Sequence, residues 1–210
     1  MKILILSDSH GNVGAIMDAL AKESPDMMLH LGDHDKDCAK AKVEYPEIQV
    51  RSVRGNCDIS SFELDIDEFT IGGRRFFMTH GHLYGVKTEI SPIISAAALR
   101  GADILLFGHT HIQYHDVVSV DGCIFDSPFD DMILRAAQKN RKGAGVFQRL
   151  AALAGGKKPT IPVAADVRAP AHKERLTVVN PGSIGLGRKT YAVIELNNGA
   201  SSINFESIGD

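Results

Sequence analysis

Asp8 and His10 stand two residues apart at the end of an apolar run, Ile3-Leu4-Ile5-Leu6, and a carboxylate with an imidazole at that spacing can share one metal ion. In an extended chain their side chains would point to the same side, about 6.6 Å apart. The same kind of residue recurs after later apolar stretches: Asp33 after Gly32, Asn56 after Gly55, His80 in Thr79-His80-Gly81-His82, and His109 and His111 in Gly108-His109-Thr110-His111. Any one of these alone is an ordinary turn or a polar strand end. Five of them, all at predicted strand termini and all of one chemical kind, are not ordinary. Two carboxylates, four imidazoles and one amide, with no thiolate, form an oxygen and nitrogen donor set suited to manganese, iron, cobalt, nickel or zinc. Seven donors are too many for one tetrahedral ion and fit two ions bridged by a carboxylate.

The elements that must position these residues are legible in the hydrophobic pattern. Ile3 to Leu6 reads as a buried strand, and Gly11-Asn12 turns the chain into a helix with Ile16, Met17, Leu20 and Ala21 at helical spacing, closed by Pro25. Met27 to Leu31 is a second strand, Cys38 to Tyr45 a second helix stopped by Pro46, and Ile48 to Val53 a third strand. Such alternation within sixty residues is the signature of a layered α/β fold. Glu68 to Ile71 and Arg75 to Thr79 flank Gly72-Gly73 and should pair antiparallel. A helix follows over Glu89 to Arg100, with Ser91-Pro92 near its start, then a strand Asp103 to Phe107. Strands are predicted at Tyr114 to Val120, Gly122 to Phe125, Leu176 to Val179, Tyr191 to Leu196 and Ser202 to Phe205, with a tight turn at Asn180 to Ser183 near the site. In open α/β sheets chemistry gathers beyond the carboxyl ends of strands, where these polar residues fall.

Length and composition bound the rest. The 210 residues, 44% hydrophobic and 23% charged, suit one globular domain, residues 1–210. No apolar run is long enough to span a bilayer and no secretory leader is evident, so the expectation is a cytoplasmic protein without membrane association. Cys38, Cys57 and Cys123 are odd in number and far apart, which argues against a disulfide framework and a thiolate zinc site. Residues at about 126–175 break the pattern as a helical insertion, too long for an ordinary connection. Between Asp126 and Arg175 ten Lys and Arg face five Asp and Glu, a net +5 against −8 for the remainder. The plain reading of that charge is a solvated helix face. The segment is expected either to border the metal cleft or to form a homo-oligomer contact through Phe147, Leu150 and Leu153.

Val53-Arg54-Gly55-Asn56-Cys57-Asp58, Thr79-His80-Gly81-His82, Gly108-His109-Thr110-His111 and Asn180-Pro181-Gly182-Ser183, joined to Asp8-Ser9-His10 and Gly32-Asp33, resemble the calcineurin-like metallophosphoesterases, in their small YfcE-like phosphodiesterase branch. The resemblance covers residues 1 to about 125 and 176 to 200. It implies an α/β fold, a four-layer α/β/β/α sandwich of two mixed β-sheets flanked by helices, with the site at one edge. It further implies that one metal takes Asp8, His10 and His111, the other Asn56, His80 and His109, and that Asp33 bridges. The cofactors expected are two divalent metal ions, Mn2+ first, with Fe, Zn, Ni and Co as alternatives. Two such ions, two carboxylates and a bridging hydroxide leave a charge of about +1, which suits a phosphodiester monoanion attacked by that hydroxide.

One position departs from the wider family, where a histidine commonly follows the Gly-Asn asparagine; here Cys57 stands there. A thiol is a poorer proton donor to a leaving oxygen than an imidazole at neutral pH, so substrates with good leaving groups are expected. His82 is the first candidate to supply that proton, ahead of His34 and Asp58, and is grouped with Asn56 as a catalytic residue. Cys57 itself reads equally as a buried small hydrophobe. His30 reads as a satisfied core residue and His34 as a surface histidine. The expected partner is a small phosphoester. Long nucleic acid is disfavoured because the basic insertion offers only Phe129 and Phe147 as aromatics and the chain has no tryptophan. The competing readings are a phosphomonoesterase and a non-catalytic protein-interaction scaffold on the same fold. Ligand completeness separates the enzyme from the scaffold, since a scaffold needs none of the seven donors.

Overall fold

The alternation of branched residues in Lys2–Leu6 puts Ile3 and Ile5 on one face of a strand and Leu4 and Leu6 on the other, and both faces are buried. A strand covered on both sides must lie at the centre of a layered structure, and the computed structural model places it there. The structure describes residues 1–120, 174–197 and 200–209. Among them, strand β1 (Lys2–Leu6) is followed by helix α1 (Val13–Glu23), β2 (Met27–His30), α2 (Cys38–Glu44), β3 (Gln49–Ser52), β4 (Ile66–Ile71), β5 (Arg74–Thr79), α3 (Ser91–Leu99), β6 (Ile104–Leu106), β7 (Gln113–Ser119), β8 (Arg175–Pro181), β9 (Lys189–Asn197) and β10 (Ala200–Ile208). Short 3-10 turns at Asp35–Asp37 and His82–Tyr84 complete the described elements.

The strands form two mixed sheets of five, in the orders β10-β9-β1-β2-β3 and β4-β5-β6-β8-β7. In the first, β1, β2 and β3 are parallel, and in the second, β5, β6 and β8 are parallel. Ile3, Ile5, Met27 and Leu29 of the first sheet meet Phe76, Met78, Ile104, Leu106 and Val179 of the second in one core. On the outer face of the first sheet, Leu4, Leu6 and Met28 pack against Ala15, Ile16, Ala19 and Leu20 of α1 and Cys38 and Ala41 of α2. Helix α3 lies against β8 of the second sheet. The result is the α/β/β/α sandwich that the resemblance implied.

Each described strand and α-helix falls within a few residues of its expected place, whereas the two 3-10 turns were not expected. Asn12 caps α1 by accepting the Ala15 N–H, and Pro92 opens α3 as expected. Asn180 and Pro181, expected as a turn, extend β8 instead, paired with Tyr114 and Gln113 of β7. Arg175, placed at the close of the insertion, opens β8. The rest of the predicted insertion, bar Glu174, and the strand at Gly122 to Phe125 lie outside the described residues.

Candidate metal centre

Parallel strands end on the same side of their sheet, so the loops after β1, β2, β3, β5 and β6 deliver Asp8, Asp33, Asn56, His80 and His109 with His111 to a common region. The expectation that Asp8 and His10 project from an extended strand is corrected. Strand β1 stops at Leu6, and Asp8 and His10 adopt left-handed backbone at φ 55° and 45°. Turning the chain in this way brings His10 Nε2 to 3.9 Å from Asp8 Oδ1. Asp33, His34, His109 and His111 share the left-handed region, at φ 58°, 71°, 69° and 60°. Asp and His visit it more readily than most residues, but six such positions in one site mark backbone held against its preference by its surroundings.

Three trios of donors result. Ligand atoms lie within 4.8 Å of one another in Asp8, His10 and His111, in Asp33, His80 and His109, and in His10, Asp33 and Cys57, the last bringing a thiol beside the two nitrogen and oxygen sets. Asp8 is fully buried, and its Oδ2 accepts hydrogen bonds from the Ser7 hydroxyl and from the His109 N–H at 3.1 Å. Its Oδ1 has no hydrogen-bond partner, yet it stands 3.0 Å from His111 Nε2 and 4.0 Å from His80 Nε2. Asp33 spreads its two oxygens. Oδ1 accepts the Cys57 N–H at 2.8 Å and lies 3.5 Å from His80 Nε2, whereas Oδ2 lies 4.0 Å from His10 Nε2. His80 Nδ1 meets the Leu31 carbonyl at 2.7 Å, which fixes a proton on that nitrogen and leaves Nε2 facing Asn56 Oδ1 and His109 Nδ1, each at 3.2 Å.

The electrostatics follow from this crowding. Burial acts to raise the Asp33 pKa, but the hydrogen bonds from His80 and the Cys57 N–H prevail and hold the carboxyl well below the usual range. Burial opposes a charge on His80 too, yet Asp33 and Asp8 outweigh it and raise that pKa. His109 is pulled down to about 4 by burial and by His80, and His82 is lowered for the same two reasons. His82 Nδ1 is buried without a hydrogen-bond partner, and its ring centroid lies 5.3 Å from that of His80. Cys57 is exposed, which overturns its reading as a buried hydrophobe. The loop after β3 turns its side chain outward while its N–H is taken by Asp33.

Other residues hold the loops in place, among them Asp58, named from the sequence only as a remote candidate proton donor. Asp58 Oδ1 accepts the N–H groups of His34 and Asp35 at 2.8 and 3.1 Å and its Oδ2 accepts that of Gly55 at 2.7 Å, tying the Asp33 loop to the Asn56 loop. Asp37 accepts from the Ser9 hydroxyl and the Gly11 N–H, at 2.7 and 2.8 Å. Fully buried His30 contacts the Ser9 hydroxyl at 3.1 Å, in agreement with its reading as a satisfied core residue, and burial lowers its pKa to about 4. Asn180 Nδ2 donates to the Gly108 carbonyl and to Thr110 Oγ1, and Ser183 Oγ to the Asp8 carbonyl. Gly55 and Gly108 are required by close approach, since a Cβ on the first would collide with the Asp33 carboxylate and on the second with Ser7.

Residues 1–128 match the family model of the calcineurin-like phosphoesterase superfamily domain, and the chain belongs to that family. It is 34% identical over 122 residues to the probable metallophosphoesterase YsnB of Bacillus subtilis, a match covering 56% of this chain and 69% of that one. To phosphodiesterase YfcE of Escherichia coli it is 29% identical over 136 residues, covering 53% and 70%. Among solved structures, a Streptococcus pneumoniae protein described as a predicted phosphoesterase superposes with a TM-score of 0.59 at 17% identity, over 98% of this chain and 88% of that one. Zinc-bound Vps29 of Entamoeba histolytica gives 0.56 at 16% identity, over 99% and 98%. At such identities these two likenesses speak for the fold alone.

Members of this family use divalent metals, and the residues present fit them. A buried carboxylate oxygen without a partner, surrounded by imidazole nitrogens, is costly unless a cation satisfies it. His10 Nε2 and His111 Nε2 likewise face each other at 3.4 Å, an arrangement that a shared cation relieves. Among the described residues no helix is long and apolar enough to cross a membrane.

Proposed function

We propose that this chain is a phosphoesterase working through two divalent cations, most favourably Mn2+, with Fe, Zn, Ni and Co as alternatives, and that its preferred substrates are small phosphodiesters. The observation that carries this reading is the two-sided placement of Asp33, with Oδ1 toward the His80 trio and Oδ2 toward the His10 trio. Asp8, His10 and His111 would hold one cation, Asn56, His80 and His109 the other, and Asp33 would bridge. Such a pair supplies Lewis-acid polarisation of phosphoryl oxygens and activation of water as a nucleophile near neutral pH.

The chain's own residues prepare that chemistry. The Leu31 carbonyl orients the His80 ring so that its free nitrogen faces the site, and the His109 N–H with the Ser7 hydroxyl fixes the Asp8 carboxylate. Asn56 presents a neutral oxygen, which keeps the positive charge of the centre available for an anionic substrate. Proton supply is the weak point. Burial and the Asp33 carboxylate push the Cys57 thiol up to about 11, and burial with His80 nearby lowers the pKa of His82, making it less readily protonated than a free imidazole. We assign the proton-donating role to His82, whose Nδ1 is unpartnered. Both shifts support a preference for leaving groups that depart as stable anions, such as aryl or nucleotide phosphate groups.

Metal-stripped protein should hydrolyse bis-p-nitrophenyl phosphate only after Mn2+ is restored, and faster than it hydrolyses p-nitrophenyl phosphate. Asp33→Ala should lose both bound metal and at least about a thousandfold in kcat. Loss of metal with hydrolysis intact would refute the assignment. Faster monoester turnover would favour the phosphomonoesterase reading, and the complete donor set supports an enzyme over a scaffold.

A further inference from the structure

We propose that the cleft beside the donor trios, lined by His34, Lys36, Cys57, Ile59 and Ser60, receives one ester arm of the substrate and selects an arm that combines an apolar body with a second anionic group, as in a phosphorylated nucleoside. This inference rests on the phosphodiesterase reading above and names the substrate class of that site.

Continuity with the centre is the first ground. Cys57 Sγ lies within 4.8 Å of ligand atoms of His10 and Asp33, and Cys57 also lines the cleft. The His34 ring, on the same wall, has its centroid 5.5 Å from that of His10. A phosphoester held at the donor trios is therefore within reach of the cleft. The volume, about 230 Å³, is below the ~300–1,000 Å³ of pockets that enclose whole ligands and suits a single substituent.

The walls supply the selection. Ile59 is 92% exposed, and on the same loop Phe62 is 94% exposed, so neither serves the core. A branched apolar side chain held in water beside a polar centre gains by covering an apolar portion of a ligand. Lys36 is exposed and forms no ion pair among the described residues. Among those residues no carboxylate holds its ammonium, which can meet an anion. Asp58 lines the floor, but its two oxygens already accept three backbone N–H groups, from His34, Asp35 and Gly55. The loop itself is fixed, with Ser61 bonded to Asp35 through its hydroxyl and to the Asp58 carbonyl through its N–H at 3.1 Å. A wall ordered in advance loses little entropy on binding.

Titration calorimetry on the full chain reconstituted with Mn2+ reads the cleft without turnover. Thymidine 3′,5′-bisphosphate should bind about fivefold more tightly than thymidine 5′-monophosphate, the scale of one exposed charge contact. Lys36→Ala should erase that ratio, and Ile59→Ser should weaken both nucleotides relative to inorganic phosphate by about threefold. A general folding defect would change all three affinities together and leave the ratios standing. Equal affinities in the wild-type protein, or a ratio untouched by Lys36→Ala, would overturn the proposal. Hydrolysis of methyl p-nitrophenyl phosphate by the same preparation checks the phosphodiesterase reading separately. Lys36-dependent binding without turnover defeats that reading alone, and turnover with equal affinities defeats the cleft alone.

Discussion

Asp33 and Asp8 are carboxylates at the ends of adjacent parallel strands, and the difference between them shows how much a residue type alone conveys. Both were legible as donors because each follows an apolar strand and has a glycine or serine beside it. The two-sided role of Asp33 was legible only through family resemblance, since nothing in a Gly-Asp pair says where its two oxygens point. The left-handed backbone at Asp8 and His10 was also hidden, because alternation in the preceding strand suggests that the extended chain continues. His30 illustrates the reverse. Its place within an apolar strand marked it as a satisfied core histidine, and the contact with Ser9 agrees. Its pKa is depressed from 6.5 to about 4 by burial, so the unfolded chain binds more protons than the folded one between those values. Stability should therefore fall as pH drops through this window, by about 2 kcal/mol for this group at pH 5. Denaturant titrations of metal-free protein at pH 7 and pH 5 check the sign. His30→Gln should flatten this contribution.

The strands and helices were easier to place than the connections that hold them at the site. Apolar runs gave each described strand to within a few residues, and Gly72-Gly73 gave the turn between β4 and β5, whereas Asn180-Pro181 misled. What binds the loops to one another is set by tertiary contact. Asp58, next to Cys57, reads in sequence as a remote candidate proton donor, yet it accepts the N–H groups of His34, Asp35 and Gly55 and so joins the loops that carry Asp33 and Asn56. Replacing it by Ala leaves three backbone donors unsatisfied, two of them on residues classed as buried, and should destabilise the fold by about 2–4 kcal/mol. Because the loops would part, metal affinity should drop about tenfold or more, measurable by competition with a chelating dye. Asp58→Asn keeps one acceptor oxygen and should recover part of the stability. A variant with unchanged metal affinity would show that Asp58 serves the fold and not the centre. Asn180 and Ser183 do the same work from β8 and the loop after it, and their motif was recognisable as a turn near the centre without revealing that it braces Gly108 and Asp8.

At the scale of the whole molecule, the parallel arrangement of β1, β2 and β3 in one sheet and β5, β6 and β8 in the other is what lets candidate donors up to 103 positions apart, from Asp8 to His111, meet. The layered class was readable from strand and helix alternation, and the pairing of the two sheets through Ile3, Ile5, Phe76 and Met78 was implied only by resemblance. Cations that bind the folded chain alone should raise its melting temperature, with a stabilisation of about 2.7 kcal/mol at a hundredfold excess over Kd, and chelation should reverse it. Electron paramagnetic resonance on the Mn2+-reconstituted protein, with metal content determined on the same sample, tests most directly whether two cations share Asp33. Two Mn2+ per chain with the spectrum of a magnetically coupled pair is the result this account predicts. One Mn2+ per chain, or two giving only the signal of isolated ions, would contradict it.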